Sequence, residues 1–163
     1  INPKSTTRPY LIPKDCYLDI DKKELKINNI FRELRDDLLI RDSKKSVPNA
    51  VGVLFRVFLE VSLDCYAKKN QYGFKKEDTI SKKIPWVVGN LIKKGYDKGK
   101  FNQINKVGSA RKENTYLSID NFHEYIHSTT TQPTSSDLKA KWDHLQEFFE
   151  IIWKEISDKG KKN

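Results

Sequence analysis

Methionine is absent from this 163-residue chain, and cysteine occurs only as Cys16 and Cys65. Without a CxxC motif a zinc knuckle is excluded, and two isolated cysteines favour reduced thiols in the cytoplasm over a disulfide framework. Apolar runs long enough to span a membrane are lacking too, so we expect no membrane partner. The proline-containing start lacks the apolar stretch of a signal peptide. Because the chain begins at Ile1, we expect a piece of a longer protein whose other domains are its partners.

Positive charge is in excess and is unevenly distributed. The formal net charge is +9, and residues 68–112 hold thirteen basic side chains against three acidic ones. Such a cluster is typical of a surface that contacts nucleic-acid phosphates, although a solvated lysine-rich face without a partner has the same composition. Aromatic residues interleave with the cluster: Tyr72, Phe74, Trp86, Tyr96 and Phe101. We predict that RNA or DNA is bound by Lys82, Lys83, Lys93, Lys94, Lys98, Lys100, Lys106, Arg111 and Lys112.

Hydrophobic periodicity predicts an all-α fold, a helical bundle of about five helices. One domain is expected over residues 21–157, with residues 1–20 as an extended segment or linker and residues 158–163 as a frayed tail. The most apolar segment begins near Pro48 and ends near Lys69, and we expect it to form the central helix. A first helix over residues 21–40 has a predicted inward face of Leu25, Ile27, Ile30, Phe31, Leu34 and Leu38.

The second half of the chain is predicted to hold three more helices. A third helix over residues 77–94 contains Pro85, which should kink it or mark its start. Residues 95–114 are expected to form a long connector and thus a candidate binding loop. A short fourth helix, capped by Ser118 or Asp120, then carries two histidines.

The last predicted helix is aromatic and is capped by Ser136 or Asp137. Its apolar stripe includes Trp142, Phe149 and Trp153, which we assign to the core of the bundle rather than to an interface. A homodimer formed through this helix would share the same side chains between core and interface.

Arg56 and Glu60 are charged residues within the apolar central segment. They lie four positions apart and therefore on one face of a helix, which predicts an intrahelical ion pair. The pair either surfaces as a polar stripe, which we favour, or lines a functional site.

Two histidines form an H-E-x-x-H motif, which comprises His123, Glu124 and His127. On a helix this spacing places both imidazoles on one face, as in zinc hydrolases. The alternative is that both histidines pack toward neighbouring helices while Glu124 faces solvent. We favour packing, and we predict no bound metal and no cofactor.

A zinc hydrolase needs a further ligand downstream of the motif. The version with a third histidine is excluded, because Thr130 and Pro133 stand where its glycine and histidine should be. In the version with a glutamate ligand, Glu147 or Glu150 on the last helix would have to reach back to the histidines.

Two segments, VPNAVGVLFRVFLEVSLDCY and LSIDNFHEYIHSTTTQPTSSDLKAKWDHLQEFFEIIW, resemble the helical domains of the HEPN superfamily over most of residues 25–157. The resemblance implies a dimeric bundle. Active members are metal-independent endoribonucleases in which four to six residues separate an arginine from the histidine that follows it. Here the nearest preceding arginine, Arg111, lies too far from His123. Similar domains end multidomain bacterial proteins, including defence proteins and proteins with a ParB-like nuclease fold.

Three functions follow from these observations. The favoured one is a nucleic-acid-binding and dimerisation module of a larger bacterial protein, such as a defence protein. The second is a divergent metal-independent endoribonuclease in which His127 acts as general acid and base, assisted by His123 and Arg56. The third is a protein-interaction domain whose charge has no nucleic-acid partner.

Overall fold

A computed structural model of the chain describes residues 7–41, 43–108, 129–130 and 132–160. These ranges contain α-helices and no strand, which confirms the predicted all-α bundle. A π-helical turn, Glu33–Asp37, extends the first helix, and a 3-10 turn, Lys98–Phe101, precedes the fourth. The α-helices are α1 (Leu25–Arg32), α2 (Pro48–Lys69), α3 (Ile80–Lys93), α4 (Asn102–Gly108) and α5 (Ser135–Gly160).

Helices α2 and α5 form the centre of the bundle and make the most extensive contact between elements. Aromatic side chains fill the contact between them. On α5 the Trp142 and Phe149 rings stack with centroids 5.1 Å apart, and the Phe58 ring of α2 lies 5.1 Å from the Phe149 ring. Trp142, Phe149 and Trp153 are fully buried within the single chain, which confirms their assignment to the core. A dimer surface made of these rings would require the core to open.

The described part of the N-terminal segment, residues 7–20, contains no helix, and most of its apolar side chains are part of the core. Leu11 and Ile12 are fully or almost fully buried. The Ile12 amide donates to the Leu34 carbonyl at 3.3 Å, and the Ile40 amide donates to the Pro9 carbonyl at 2.9 Å. This segment therefore pairs with the π-helical turn itself and with the chain just after it.

Several helix boundaries differ from the sequence-based expectation. Helix α1 begins at Leu25, whose side chain is 72% exposed rather than inward. Helix α3 begins at Ile80 and continues through Pro85. The Thr134 hydroxyl accepts a hydrogen bond from the Asp137 amide at 3.2 Å. Thr134 is therefore the cap of α5, and the prediction of Ser136 or Asp137 is wrong.

The predicted connector over residues 95–114 is wrong as far as Gly108. Residues 98–108 form the 3-10 turn and α4, and Phe101, Ile104 and Val107 are buried in the core. Helix α4 packs against α3 and α5. The remainder of the connector and the predicted fourth helix with His123, Glu124 and His127 lie outside the described residues.

Candidate nucleic-acid interface

The basic residues chosen from the sequence divide into two groups in the structure. Four lysines form ion pairs within the chain: Lys82 with Asp78, Lys83 with Glu60 and Asp64, Lys94 with Glu155, and Lys100 with Glu147. The second group, Lys93, Lys98 and Lys106, is exposed on α3, the 3-10 turn and α4. Arg111 and Lys112 lie outside the described residues. Intramolecular pairing neutralises part of the positive charge that the sequence places in this region.

Lys83 is the clearest case of a lysine with a role inside the bundle. Its side chain is 6% exposed, and its ammonium lies 3.1 Å from Glu60 and 2.8 Å from Asp64. Burial opposes the charged form, but hydrogen bonds to Asp64 and Glu60 outweigh this effect and raise the pKa of Lys83. A phosphate would have to displace both carboxylates to reach this ammonium, so Lys83 is unsuited to bind nucleic acid.

Lys94 joins α3 to α5 and is also engaged within the fold. Its ammonium is 3.2 Å from Glu155, and the other oxygen of that carboxylate accepts a hydrogen bond from the Tyr96 hydroxyl at 2.6 Å. The ammonium also lies 5.0 Å from the centre of the Tyr66 ring. Burial lowers the pKa of Lys94, but the contacts with Tyr66 and Glu155 raise it above its ordinary value.

The predicted Arg56–Glu60 ion pair is wrong, because Glu60 pairs with Lys83 from the neighbouring helix. Arg56 is half-buried on α2. Its proposed catalytic partners His123 and His127 lie outside the described residues, so the ribonuclease interpretation stays a prediction.

The glutamates proposed as zinc ligands have other contacts. Glu147 pairs with Lys100 at 3.4 Å, and Glu150 accepts a hydrogen bond from Gln146 at 2.7 Å. Both residues are exposed on α5. Within the described ranges, no three His, Cys, Asp or Glu side chains are grouped so that they could hold a metal ion.

A concavity of about 440 Å³ lies where the C-terminal end of α2 meets the following loop and α3. We call it the basic concavity. Lys68, Lys75 and Lys76 lie on it, and no ion pair forms between these lysines and the carboxylates in the described part of the chain. The described residues that line it are Glu60, Asp64, Lys68, Tyr72, Gly73, Phe74, Lys75, Lys76 and Lys83.

An aromatic cluster forms one side of this concavity. The Tyr72 and Trp86 rings stack with centroids 4.4 Å apart and an angle of 18° between planes. The Phe74 ring is nearly perpendicular to both, at 5.3 Å from Tyr72 and 5.6 Å from Trp86. Tyr72 remains 40% exposed. Stacked and edge-on arrangements of this kind are the favoured geometries of aromatic pairs.

Local backbone geometry positions the cluster. Helix α2 ends at Lys69, and Gln71 adopts a left-handed conformation with φ of 60°. The Tyr72 amide then donates to the Ala67 carbonyl at 3.0 Å, which closes the helix end. After Phe74, the Lys75 amide donates to the Asp78 carboxylate at 2.8 Å. The loop that carries Tyr72 is thus fixed at both ends.

The sequence indicates a basic and aromatic region here, but it does not identify the residues that form the concavity. The stretch YGFKK places two aromatic residues directly before Lys75 and Lys76, but neither lysine was among the residues predicted to bind nucleic acid. The stack of Tyr72 on Trp86 joins residues from two different elements, so only the folded chain reveals it.

None of the helices described is long and apolar enough to cross a membrane. Comparison of the chain with protein-family models, with curated proteins and with solved structures finds no match. The resemblance to HEPN domains therefore stays a prediction from the sequence.

Proposed function

We propose that this chain is a nucleic-acid-binding helical module that contacts phosphates through the basic concavity and its rim. The observation that supports this proposal is the contrast between lysines that pair with carboxylates and lysines that do not. Lys83 balances Glu60 and Asp64 inside the concavity, while Lys68, Lys75 and Lys76 add positive charge there. This excess of positive charge attracts polyanions and is screened by salt.

The rim of this interface extends along α3 and the turn after it. Lys93 and Lys98 are exposed, and neither forms an ion pair with a carboxylate in the described ranges. Lys82 is 66% exposed, so its ammonium can contact a phosphate while it remains close to Asp78. We therefore retain Lys82, Lys93 and Lys98 from the sequence-based set and add Lys68, Lys75 and Lys76.

We also propose that the module acts within a larger protein and forms a homodimer. The dimer must use a surface other than the Trp142, Phe149 and Trp153 stripe, because these side chains fill the core of one chain. His123 and His127 are not part of the proposed interface, which consists of described lysines and aromatic residues.

The proposal is tested by titrating the purified chain with labelled single-stranded RNA, single-stranded DNA and duplex DNA at two salt concentrations. A double variant, Lys75→Gln with Lys76→Gln, should weaken binding. Its binding should also depend less on salt. The negative slope of log K against log salt should become shallower by about 0.7 to 0.9 for each phosphate that the variant no longer neutralises. A gel of the nucleic acid after the titration also shows whether it has been cleaved.

The chain offers a matched control in another adjacent pair of exposed lysines, Lys44 and Lys45. They precede α2, whereas the basic concavity lies at the far end of this helix of 22 residues, about 33 Å along its axis. Lys44→Gln with Lys45→Gln makes the same change in net charge and should leave affinity nearly unchanged. An equal decrease of affinity in both double variants, or no binding at low salt, would refute the proposal.

A further inference from the structure

We infer that the basic concavity binds an unpaired base of single-stranded nucleic acid by stacking it on Tyr72, an inference that rests on the proposed function. Trp86 covers one face of the Tyr72 ring, and Phe74 packs edge-on beside the stack. Tyr72 remains 40% exposed and lines the concavity, so we assign its second face, which neither Trp86 nor Phe74 covers, to the bound base. A base placed there continues an aromatic stack that already exists.

The platform is pre-organised, which lowers the entropic cost of binding. Tyr72 is held by Trp86, by Phe74 and by its own backbone hydrogen bond to Ala67. A ring that is already immobilised loses little freedom when a base stacks on it. Aromatic platforms beside basic residues are the common means by which proteins bind single strands, because every base offers a π-face.

The charges around the platform match a nucleotide rather than a simple anion. Lys68, Lys75 and Lys76 can contact the phosphates on either side of the stacked base. Glu60 and Asp64 each direct one oxygen to Lys83 while their side chains remain 39% and 47% exposed. These carboxylates can accept hydrogen bonds from an exocyclic amino group of the base, as carboxylates accept from cytosine N4.

Duplex nucleic acid cannot use this platform. Its bases are stacked on one another, so the faces of its internal bases are covered and cannot stack on Tyr72. Binding therefore has two separable contributions: lysine contacts that single strands and duplexes share, and stacking on Tyr72 that only single strands gain. If a base does not stack on Tyr72, the lysines can still bind nucleic acid as proposed above.

The test compares Tyr72→Leu with Tyr72→Phe in the full chain, using fluorescent cytidine and uridine dodecamers and a duplex of equal length. Tyr72→Leu should weaken dodecamer binding about tenfold and leave duplex binding unchanged, because the ring is removed and the lysines remain. Tyr72→Phe keeps the ring and should bind within about twofold of the unaltered chain. The cytidine dodecamer should bind several-fold more tightly than the uridine dodecamer, which has no exocyclic amino group.

A cross-linking measurement keeps the inference testable if Tyr72→Leu fails to fold. Ultraviolet irradiation of the unaltered chain with a single strand should attach nucleotide to the tryptic peptide that contains Tyr72. Cross-links confined to other peptides would overturn the inference, as would equal affinity of Tyr72→Leu and the unaltered chain for single strands. Equal affinity for cytidine and uridine would overturn the role of Glu60 and Asp64. Absence of binding to every nucleic acid at low salt would refute the proposed function itself.

Discussion

Ser62 and Trp153 illustrate how single residues satisfy polar groups inside the bundle. The Ser62 hydroxyl is fully buried, donates to the Phe58 carbonyl at 2.7 Å and accepts from the Trp153 indole at 3.3 Å. A tryptophan can be buried at the centre of a core when its N–H group finds such a partner. The small hydroxyl on α2 thus completes the contact between α2 and α5.

Replacing Ser62 with alanine should leave the buried indole N–H without this acceptor. We expect Ser62→Ala to lower the free energy of unfolding by about 1–3 kcal/mol, measured by urea denaturation. Trp153→Phe provides the control, because it removes the donor as well as the bulk of the indole ring. The double variant should be destabilised by less than the sum of the two single variants. Strict additivity would show that the hydrogen bond does not stabilise the fold.

The end of α2 determines where the aromatic platform formed by Tyr72 lies. Gln71 occupies the position after the helix at which glycine is preferred, and its φ of 60° disfavours a side chain with a Cβ atom. Asn70, directly before it, has a φ of −96° and caps the helix by donating from its side chain to the Tyr66 carbonyl at 2.8 Å. Strain at Gln71 therefore accompanies the turn that presents Tyr72.

Gln71→Gly should relieve this strain and raise the free energy of unfolding by about 1 kcal/mol, since glycine adopts positive φ without a steric cost. Thermal unfolding followed by circular dichroism measures the gain. Asn70→Gly is the matched control, and it should destabilise the chain because it removes a capping side chain without relieving any positive φ. Stabilisation by both substitutions, or by neither, would contradict the account of Gln71.

The sequence predicted long elements well and short ones poorly. Helix α2 has the bounds that the sequence predicts, Pro48–Lys69, because a proline marks its first turn and apolar residues occur along its whole length. Helix α4 was missed, although Phe101, Ile104 and Val107 recur at a spacing of three residues. Glycines and lysines around them indicate a loop, and a helix of seven residues depends on packing rather than on intrinsic propensity.

The sequence predicts the candidate site as a region of positive charge, but it does not predict which side chains lie together in the folded chain. The cluster over residues 68–112 is visible in the sequence, but apart from Lys82, which pairs with the nearby Asp78, the neutralised lysines have distant partners. Glu60, Glu147 and Glu155 lie far along the chain from the lysines that they pair with. Side chains that meet only in the folded state leave no local pattern in the sequence.

The N-terminal segment holds distant parts of the bundle together. Arg8 is 10% exposed and forms a two-point contact with Asp143 on α5, at 2.9 and 3.2 Å. It also donates to the Leu11 carbonyl at 2.8 Å and to the Lys139 carbonyl at 3.3 Å. One guanidinium thus joins the segment that carries Leu11 and Ile12 to α5.

Arg8→Met should loosen the segment more than it unfolds the bundle. We expect the free energy of unfolding to fall by about 1–3 kcal/mol, because the charged hydrogen bonds to Asp143 disappear while the carboxylate stays partly buried. Arg8→Lys keeps the charge but cannot make the two-point contact, so its effect should be intermediate.

Hydrogen exchange shows which part of the chain is loosened by the substitution. The amides of Ile12 and Ile40, which pair the segment with the bundle, should exchange faster in Arg8→Met. Amides in the middle of α2, where the helix is buried in the core, should exchange through global unfolding and provide the reference rate. If Ile12 and Ile40 exchange at the unaltered rate in both variants, Arg8 does not anchor the segment, and burial of Leu11 and Ile12 alone is sufficient to hold it.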